Sequence, residues 1–428
     1  MIRLDRGSAD FEACFSALVN DRREAGRDVS ADVAAILVDV RENGDAAVKA
    51  LTARFDGFDL DAVGWQISLD ICRAALEGLA PELRQALELA AARIRTYHEA
   101  QRPQDSDAMD DAGVRMGARW RAVDAAGIYV PGGRAAYPSS VLMNAIPAKV
   151  AGVERLVMVT PSPDGEINPL VLAAAALSGV DEVWRIGGAQ AVAALAYGTS
   201  RIAPVDVVTG PGNAWVAEAK RQLYGVVGID MVAGPSEILV VADAENDPDW
   251  IAADLLSQAE HDPTSQSILI TDDSGFADRV SAAVERKLGT LATRDVARAS
   301  WEAHGAIIIV RDLNDAPPLV DRLAPEHLEL AVAEPEPLFA RVRHAGSIFL
   351  GRHTPEAIGD YVGGPNHVLP TGRRARFSSG LSVLDFMKRT SFLACDDAAI
   401  RVIGPAAVAL AKAEGLPAHA DSVSERLA

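Results

Sequence analysis

The chain has 428 residues, enough to bury a large hydrophobic core and to form about two to four domains. Its 41 basic and 60 acidic residues give a formal net charge of −19. This acidic balance disfavours nucleic acids and anionic membranes as binding partners.

The N-terminal quarter of the sequence is predicted to be helical. Residues 1–6 lack the apolar segment of a signal peptide, and no apolar run in the chain reaches the roughly 20 residues of a membrane helix. Apolar residues recur every three to four positions over 32–55 and 71–100, a period typical of amphipathic helices. We therefore expect residues 8–104 to form helices.

The three cysteines are odd in number and scattered along the chain. Cys14 and Cys72 lie in helix-like segments, and Cys395 follows Phe392-Leu393-Ala394. This usage predicts a cytoplasmic location without a disulfide framework. Because none of the three lies in a polar segment, we interpret them as packing residues and not as the thiolate of a covalent mechanism.

From residue 125 onward, short apolar runs alternate with helical patterns. Eight runs predict strands: 127–130, 155–160, 182–186, 206–208, 237–241, 267–271, 306–310 and 347–350. Continuous apolar runs separated by helices indicate parallel strands with both faces covered, which is an α/β fold. The chain has no internal repeat and no low-complexity linker, so the pattern leaves the domain boundaries open.

Two glycine-containing turns follow predicted strands and precede helices. Backbone amides of Gly187-Gly188 and Gly210-Pro211-Gly212 are thus candidates for contacts to phosphate, although ordinary strand–helix turns have the same pattern. The usual dinucleotide motif is absent, because Trp215 occupies the place of its third glycine. Asp230 lies at the spacing of a ribose-binding carboxylate, and we interpret that spacing as a coincidence.

Glu326 and His327 are adjacent and follow Pro325. A carboxylate and an imidazole side by side provide two general bases, which suits a reaction that removes protons twice. The alternative is a surface pair at the start of a helix, with Pro325 near its first position.

Three further segments combine polar side chains with turn residues: 257–263, 359–370 and 413–419. They contain Gln258, His261, Asp360 and His419, and such nitrogen and oxygen donors suit zinc. Gln258 and His261 are three residues apart and would share one face of a helix. No HExxH motif and no CxxC pair is present, so each histidine taken singly also fits a hydrogen-bonded structural residue.

The order of these segments resembles the histidinol dehydrogenase family. The resemblance extends over about residues 30–420 and includes several other long motifs, namely Gly127–Gly133, Pro138–Asn144, Ile186–Ala191, Gly210–Asn213, Ala233–Glu237 and Phe377–Phe386. No expected catalytic position is substituted, which argues against an inactive relative.

The resemblance implies two Rossmann-like units with parallel sheets, one inserted in the other. It also implies helical N-terminal and C-terminal arms that exchange in a domain-swapped homodimer. The implied segments are 1–24 as the N-terminal arm, 25–128 with 238–380 as a discontinuous catalytic domain, 129–237 as the NAD-binding domain and 381–428 as the arm that reaches the partner subunit.

The implied activity is the oxidation of L-histidinol to L-histidine through L-histidinaldehyde, with two NAD per substrate. By resemblance Glu326 activates water and His327 acts on the substrate oxygen, although some sharing of these roles stays open. One Zn²⁺ per subunit would be held by Gln258, His261, Asp360 and His419 and would orient the substrate nitrogens. Manganese or cobalt would also suit such ligands.

The resemblance also assigns binding residues. NAD contacts are expected at Tyr129, Gln190 and Asn213. The substrate contacts expected are Ser236, Gln258, His261, His327, Asp360, Glu414 and His419, and we add His367 because it lies in the same segment as Asp360. The homodimer would contain two shared active sites.

Two other functions stay open. One is a related zinc- and NAD-dependent dehydrogenase of another amino alcohol, polyol or sulfonated diol. The other is a non-catalytic α/β protein that binds a small molecule. Glu414 and His419 would meet an amino group and an imidazole and favour histidinol over the first alternative, and the adjacent bases Glu326 and His327 disfavour the second.

Overall fold

A computed structural model of the chain describes residues 1–21, 28–132, 137–232 and 234–428. Two six-stranded sheets form its centre. The strands of the first sheet, in spatial order, are Ile2–Asp5, Ala306–Ile309, Gln266–Thr271, Glu237–Ala242, His327–Ala331 and Ser347–Leu350. Those of the second sheet are Gln66–Ile67, Glu182–Trp184, Arg155–Val159, Ala125–Tyr129, Val207–Thr209 and Gly228–Ile229. All neighbouring pairs are parallel except Gln66–Ile67 with Glu182–Trp184.

Helices connect these strands and cover both sheets. In chain order they are Phe11–Asn20, Ser30–Asn43, Asp45–Phe55, Leu60–Val63, Leu69–Glu77, Pro81–Glu99, Pro138–Ala151, Pro169–Ser178, Gly188–Tyr197, Ala214–Leu223, Pro248–Ala259, Ser274–Leu288, Arg294–His304, Ala316–Leu323, Glu336–Phe339, Glu356–Tyr361, Asp397–Ala413 and Pro417–Ser424. Several helices begin at a polar cap. The Asp247 side chain accepts from the Asp249 N–H at the start of Pro248–Ala259, and the Asn213 side chain accepts from two N–H groups of Ala214–Leu223.

Both faces of each sheet are buried, as continuous apolar strands predict. Along Glu237–Ala242, Leu239 and Val241 pack in a cluster with the helix Phe11–Asn20. Ile238 and Val240 point to the other face and pack with the helices Pro248–Ala259 and Ser274–Leu288. The predicted α/β fold with two parallel sheets is therefore confirmed, and all eight predicted strands are present with ends that shift by at most two residues.

The strand pairings group the chain differently from the predicted domain segments. Ile2–Asp5 is a strand of the first sheet, paired with Ala306–Ile309, so residues 1–24 are not only a helical arm. Ala125–Tyr129 lies in the middle of the second sheet, so a boundary at residue 128 would cut a strand. Apolar residues of 29–60 pack on one face of the second sheet, which places them with it and not with 238–380. The predicted insertion of one unit in the other is present, because strands of the first sheet come both before and after the second-sheet strands in the sequence.

The C-terminal segment forms a third, antiparallel sheet and two helices. Met387–Ala394 pairs with Arg115–Ala122, which in turn pairs with Ser106–Met109. The helix Asp397–Ala413 packs on Pro417–Ser424 and has only two buried residues. Val402 and Leu410 on this helix are 64% and 65% exposed. An apolar surface of this kind is typical of a segment that is covered by another molecule.

Among the residues described, no helix has both the length and the apolar character needed to span a membrane.

Gly210 follows the strand Val207–Thr209 and is predicted to tolerate no side chain. Its φ is +110°, and a Cβ would lie 2.2 Å from the Tyr129 carbonyl oxygen. Gly225 has a similar φ of +103°, but a Cβ added there would meet no atom within 4 Å. We expect Gly210→Ala to lower the free energy of unfolding by about 3 kcal/mol or more, and Gly225→Ala by roughly 1–2 kcal/mol. Urea unfolding measures both, and equal losses would contradict the steric argument.

Candidate active site

A cavity of about 380 Å³ lies where the two sheets meet. Its second-sheet wall comes from the loops after Ala125–Tyr129 and Val207–Thr209, at the carboxyl edge of that sheet. Its first-sheet wall comes from residues at the amino edge of Glu237–Ala242 and His327–Ala331. The polar residues that line the cavity on the first-sheet side include Ser236, His261, Glu326, His327, Asp360 and His367.

Glu326 and His327 mark the beginning of a buried strand. The helix-start interpretation is therefore wrong, because His327 is the first residue of the strand His327–Ala331. Glu326 Oε2 accepts a hydrogen bond from the Glu237 N–H at 3.0 Å. The Glu326 carbonyl accepts from the Ser347 N–H at 2.9 Å, so strands on both sides hold the pair.

The surroundings of His327 select one tautomer of its imidazole. Three oxygens surround Nδ1: the Glu237 carbonyl at 3.1 Å, Gln258 Oε1 at 3.2 Å and Glu356 Oε1 at 3.1 Å. The Glu237 carbonyl can only accept a hydrogen bond, so Nδ1 carries the proton and Nε2 has the free lone pair. Nε2 has no hydrogen-bond partner within the described part of the chain. Burial lowers the pKa of His327 to about 4, which keeps the imidazole neutral and able to accept a proton.

Gln258, His261 and Asp360 lie near His327; His261 and Asp360 line the cavity, whereas Gln258 is buried and is not part of the lining. Gln258 is buried near the end of Pro248–Ala259, and His261 follows in the next turn, with Gln258 Nε2 3.1 Å from His261 Nδ1. Asp360 belongs to Glu356–Tyr361, and its Oδ1 is 4.0 Å from His327 Nε2. The donors are an amide, an imidazole and a carboxylate, which suits a divalent metal, and the unpartnered His327 Nε2 lies beside them. His327, Glu356 and Asp360 also bring one ligand atom each within 4.8 Å of one another.

His367 and Ser236 complete the polar wall. His367 Nδ1 is 3.0 Å from the Asp360 carbonyl oxygen, so its ring is oriented by the backbone of a neighbouring site residue. Burial lowers the pKa of His367, so it too is neutral near pH 7. Ser236 immediately precedes the strand Glu237–Ala242, and its carbonyl accepts from the Gln266 N–H.

The three residues expected to contact NAD lie at the carboxyl edge of the second sheet. Tyr129 ends a strand, and its buried hydroxyl accepts from the Gly188 N–H at 3.1 Å; burial raises its pKa to about 12. Gln190 is buried in the first turn of Gly188–Tyr197, and Asn213 caps Ala214–Leu223. Their chain neighbours Pro131 and Gly212 line the cavity, whereas the three side chains do not.

Comparisons with known proteins agree with the motifs. The family model described as histidinol dehydrogenase matches residues 19–427. The chain belongs to the histidinol dehydrogenase family. It is 68% identical over 427 residues to histidinol dehydrogenase of Zymomonas mobilis subsp. mobilis and 65% identical over 427 residues to that of Rhodospirillum rubrum. These alignments cover 100% of this chain and 99% and 98% of the relatives.

A solved structure gives the same family. The crystal structure of histidinol dehydrogenase from Elizabethkingia anophelis is 35% identical and superimposes with a TM-score of 0.94, over 100% of this chain and 98% of that one. The predicted enzyme class, an NAD-linked oxidoreductase of histidine biosynthesis, is thereby confirmed.

Two predicted site residues lie away from the cavity of their own chain. Glu414 and His419 are exposed residues of the C-terminal segment, and neither lines the cavity of its own chain. The structure therefore places Gln258 beside His261 and places both Gln258 and Asp360 beside His327, whereas the fourth predicted metal ligand, His419, is not part of this group.

Asp230 contributes to the loop structure, in agreement with the interpretation of its spacing as a coincidence. Its buried carboxylate pairs with Lys220 and accepts from the Gly210 N–H at 2.9 Å, while Lys220 Nζ donates to the Gly210 carbonyl. These contacts hold the glycine turn.

The cysteines lie outside the cavity lining. Cys72 is buried and Cys14 is partly buried against the first-sheet core, as predicted for packing residues. The same prediction is wrong for Cys395, which is exposed in the single chain.

Glu356 is a residue that sequence reasoning missed. It is 2% exposed, its Oε1 lies 3.1 Å from His327 Nδ1, and burial raises its pKa well above the usual range. The signal in the sequence was its spacing, because Glu356 is four residues before Asp360 and therefore one helical turn away.

Proposed function

We propose that this protein oxidises L-histidinol to L-histidine through L-histidinaldehyde, with two NAD consumed per substrate. The observation that supports this most directly is the pair of adjacent buried groups, Glu326 and His327, in one cavity wall. The two have separate hydrogen-bond anchors, so each can be oriented for its own proton transfer.

The first half-reaction needs a base for the alcohol proton. His327 suits this role because its free Nε2 faces the cavity while Nδ1–H faces the Glu237 carbonyl and Gln258 Oε1. The Glu237 carbonyl and Gln258 Oε1 beside Nδ1 would stabilise the imidazolium that forms when Nε2 takes the proton.

The second half-reaction oxidises the aldehyde after water has added to it. Glu326 suits activation of this water, because one carboxylate oxygen is fixed by the Glu237 N–H and the residue lines the cavity. His327 would again accept the hydroxyl proton of the hydrate. Each residue thus keeps one position through both halves.

We place the NAD site at the carboxyl edge of the second sheet, with contacts from Tyr129, Gln190 and Asn213. Ligands of open parallel sheets bind at this edge, and the cavity extends along it. NAD, when bound, accepts a hydride in each half-reaction. The buried Tyr129 hydroxyl would orient the Gly188 turn on which the cofactor rests.

We propose that the metal is zinc, one ion per subunit, held by Gln258, His261 and Asp360 of one chain and His419 of another. The ion would hold nitrogen atoms of the substrate and so orient its hydroxyl group. Ser236, His367 and Glu414 would complete the substrate contacts. The three donors of a single chain are one fewer than a closed tetrahedral site requires.

The partner is proposed to be a second copy of this chain. Glu414 and His419 lie on an exposed segment that buries little of its own apolar surface. A swapped dimer would cover that surface and bring each tail to the other subunit's cavity, and two-fold symmetry would make two equivalent shared sites. The C-terminal segment 381–428 would then be the exchanged arm. The cytoplasmic location stays a prediction.

The roles of the two bases are tested with two substitutions. Purified protein with L-histidinol is expected to form two NADH per substrate. Glu326→Gln should slow oxidation of histidinaldehyde more than oxidation of the alcohol, because only the second half needs activated water. His327→Asn should slow both halves, by about 100- to 10,000-fold.

Stopped-flow or single-turnover assays started from histidinol and from histidinaldehyde separate the halves. The exposed His353 supplies a control, since His353→Asn should leave both rates unchanged. Unchanged aldehyde oxidation in Glu326→Gln would contradict water activation by Glu326. NADH formed only from a different alcohol would favour a related dehydrogenase, and no NADH from any alcohol would favour a binding protein.

The metal ligands are tested by metal content. Chelation is expected to abolish activity and added zinc to restore it. His261→Asn and Asp360→Ala should each lower bound zinc, because each removes a donor. The fold should persist, since a core of this size does not depend on one ion. Metal analysis measures occupancy, and full zinc in both variants would exclude these residues as ligands.

The shared site is tested by complementation. His419→Asn and His261→Asn are each expected to be inactive. Unfolding and refolding them together gives mixed dimers, in which one site combines an intact body with an intact tail. These dimers should recover up to about half of the parent dimer's activity, as follows from two reciprocal sites.

A control mixture joins His261→Asn with Asp360→Ala. Both lesions lie in the body, so every site keeps one lesion and no activity should return. If the His419→Asn mixture also stays inactive while mixed dimers are shown to form, the tail acts in its own subunit.

A further inference from the structure

Two carboxyl groups near the proposed metal ligands, one buried and one partly buried, have no assigned role. Glu329 is 1% exposed and follows His327 by two residues on the same strand. Asp254 is partly buried on the helix Pro248–Ala259, and its side chain is hydrogen-bonded to that of Glu329. A buried acid pair needs a reason, because burial of carboxylates is costly unless they are paired.

The pair connects the two helices that carry the ligands. Glu329 Oε1 accepts from the Glu356 N–H at 2.6 Å, and Glu356 is the first residue of Glu356–Tyr361. Asp254 lies four residues before Gln258, and Glu356 lies four residues before Asp360. On each helix, the residue that makes the hydrogen bond is therefore one turn before a proposed ligand and lies on the same face of the helix. The two helices are also in direct contact.

We propose that Asp254 and Glu329 form a carboxyl brace that fixes the helix bearing Gln258 relative to the helix bearing Asp360. The brace rests on the proposed metal site and deepens it, since it explains how donors from two separate helices are held together in one chain. Asp254 and Glu329 are positioning residues and act through Gln258 and Asp360.

The protonation of the pair fits a hydrogen-bonded brace. Burial raises the pKa of Asp254 to about 6 despite the nearby charge of Lys287. Burial and then the charge of Asp254 raise the pKa of Glu329 well above its usual range. One retained proton between the carboxyls removes their mutual repulsion and supplies the hydrogen that joins them, while Glu329 keeps an oxygen for the Glu356 N–H.

Amide and apolar substitutions separate the brace from simple packing. Glu329→Gln keeps an acceptor for the Glu356 N–H and gains a donor for Asp254, so zinc affinity should stay within about threefold of the parent. Glu329→Leu removes both hydrogen bonds at similar volume and should weaken zinc binding about 10- to 100-fold, the range for groups that orient metal ligands. Competition with a chromogenic chelator measures the dissociation constant, without reference to turnover.

Further variants test whether the two residues act together and whether the effect is specific to them. Asp254→Leu should weaken zinc binding to the same extent as Glu329→Leu. The double Leu variant should be no weaker than either single one, because loss of either residue interrupts the same connection between the two helices. Asp56→Leu is the control, because Asp56 is another partly buried carboxyl with a raised pKa and has no described contact to the ligand-bearing helices. Its zinc affinity should equal the parent's. Melting temperatures identify any variant that fails to fold.

The outcomes distinguish the brace from the metal site. If the parent binds zinc through His261 and Asp360 but Glu329→Leu and Asp254→Leu bind it equally well, the brace is refuted and the metal site stands. Equal weakening by Gln and Leu at position 329 also refutes it, because a hydrogen-bonded role predicts rescue by the amide. If the parent binds no zinc, both the metal proposal and the brace fail.

Discussion

The peptide groups of Glu237 are the point on which the active site depends. Its N–H donates to Glu326 Oε2, and its carbonyl accepts from His327 Nδ1. One backbone residue thus orients both proposed bases. This is possible because the register of two parallel strands pairs Ile238 with His327, which sets the ends of the strands side by side. A shift of one residue would turn the His327 side chain to the opposite face of the sheet.

The concentration of buried acid around this point gives the site its electrostatic character. Glu326, Glu329, Glu356 and Asp360 come within one small region, and burial raises the pKa of Glu329 and Glu356. Neither oxygen of the Glu356 carboxyl has a well-aligned hydrogen-bond donor in the described chain. A region of this composition favours cationic ligands, which agrees with a metal ion and a substrate that carries basic nitrogens.

Sequence patterns predicted much of the fold and failed where polar residues are buried. Strands such as Gln266–Thr271 are continuous apolar runs and were predicted within two residues. The strand His327–Ala331 was missed because Glu329 interrupts its apolar pattern, and Glu329 is a residue that we propose to brace the metal site. Glu356 and Asp254 were missed for a different reason, since their proposed roles follow from contacts between segments that are distant in sequence. The motifs located Glu326, His327, His261 and Asp360, which line one cavity, and Gln258, which contacts His327 and His261.

The grouping of segments into sheets was also beyond the sequence pattern. Ile2–Asp5 has a single buried residue, so neither an alternating nor a continuous apolar pattern marks it as a strand. Its position depends on parallel pairing with Ala306–Ile309, a partner that is distant in the sequence. Residues 29–60 are amphipathic helices that would suit either sheet by composition. Only their contacts with Trp184, Ala191 and Leu195 assign them to the second one.

The pairing of Ile2–Asp5 with Ala306–Ile309 imposes an order on folding during synthesis. The first strand leaves the ribosome early, but its partner lies some 300 residues later in the chain. At 5–20 residues per second, the delay is on the order of 15 to 60 s. The second sheet, contained within 66–229, is complete well before then. Folding is thus expected to begin in the inserted unit, with the N-terminus joining its sheet only after most of the chain has been made.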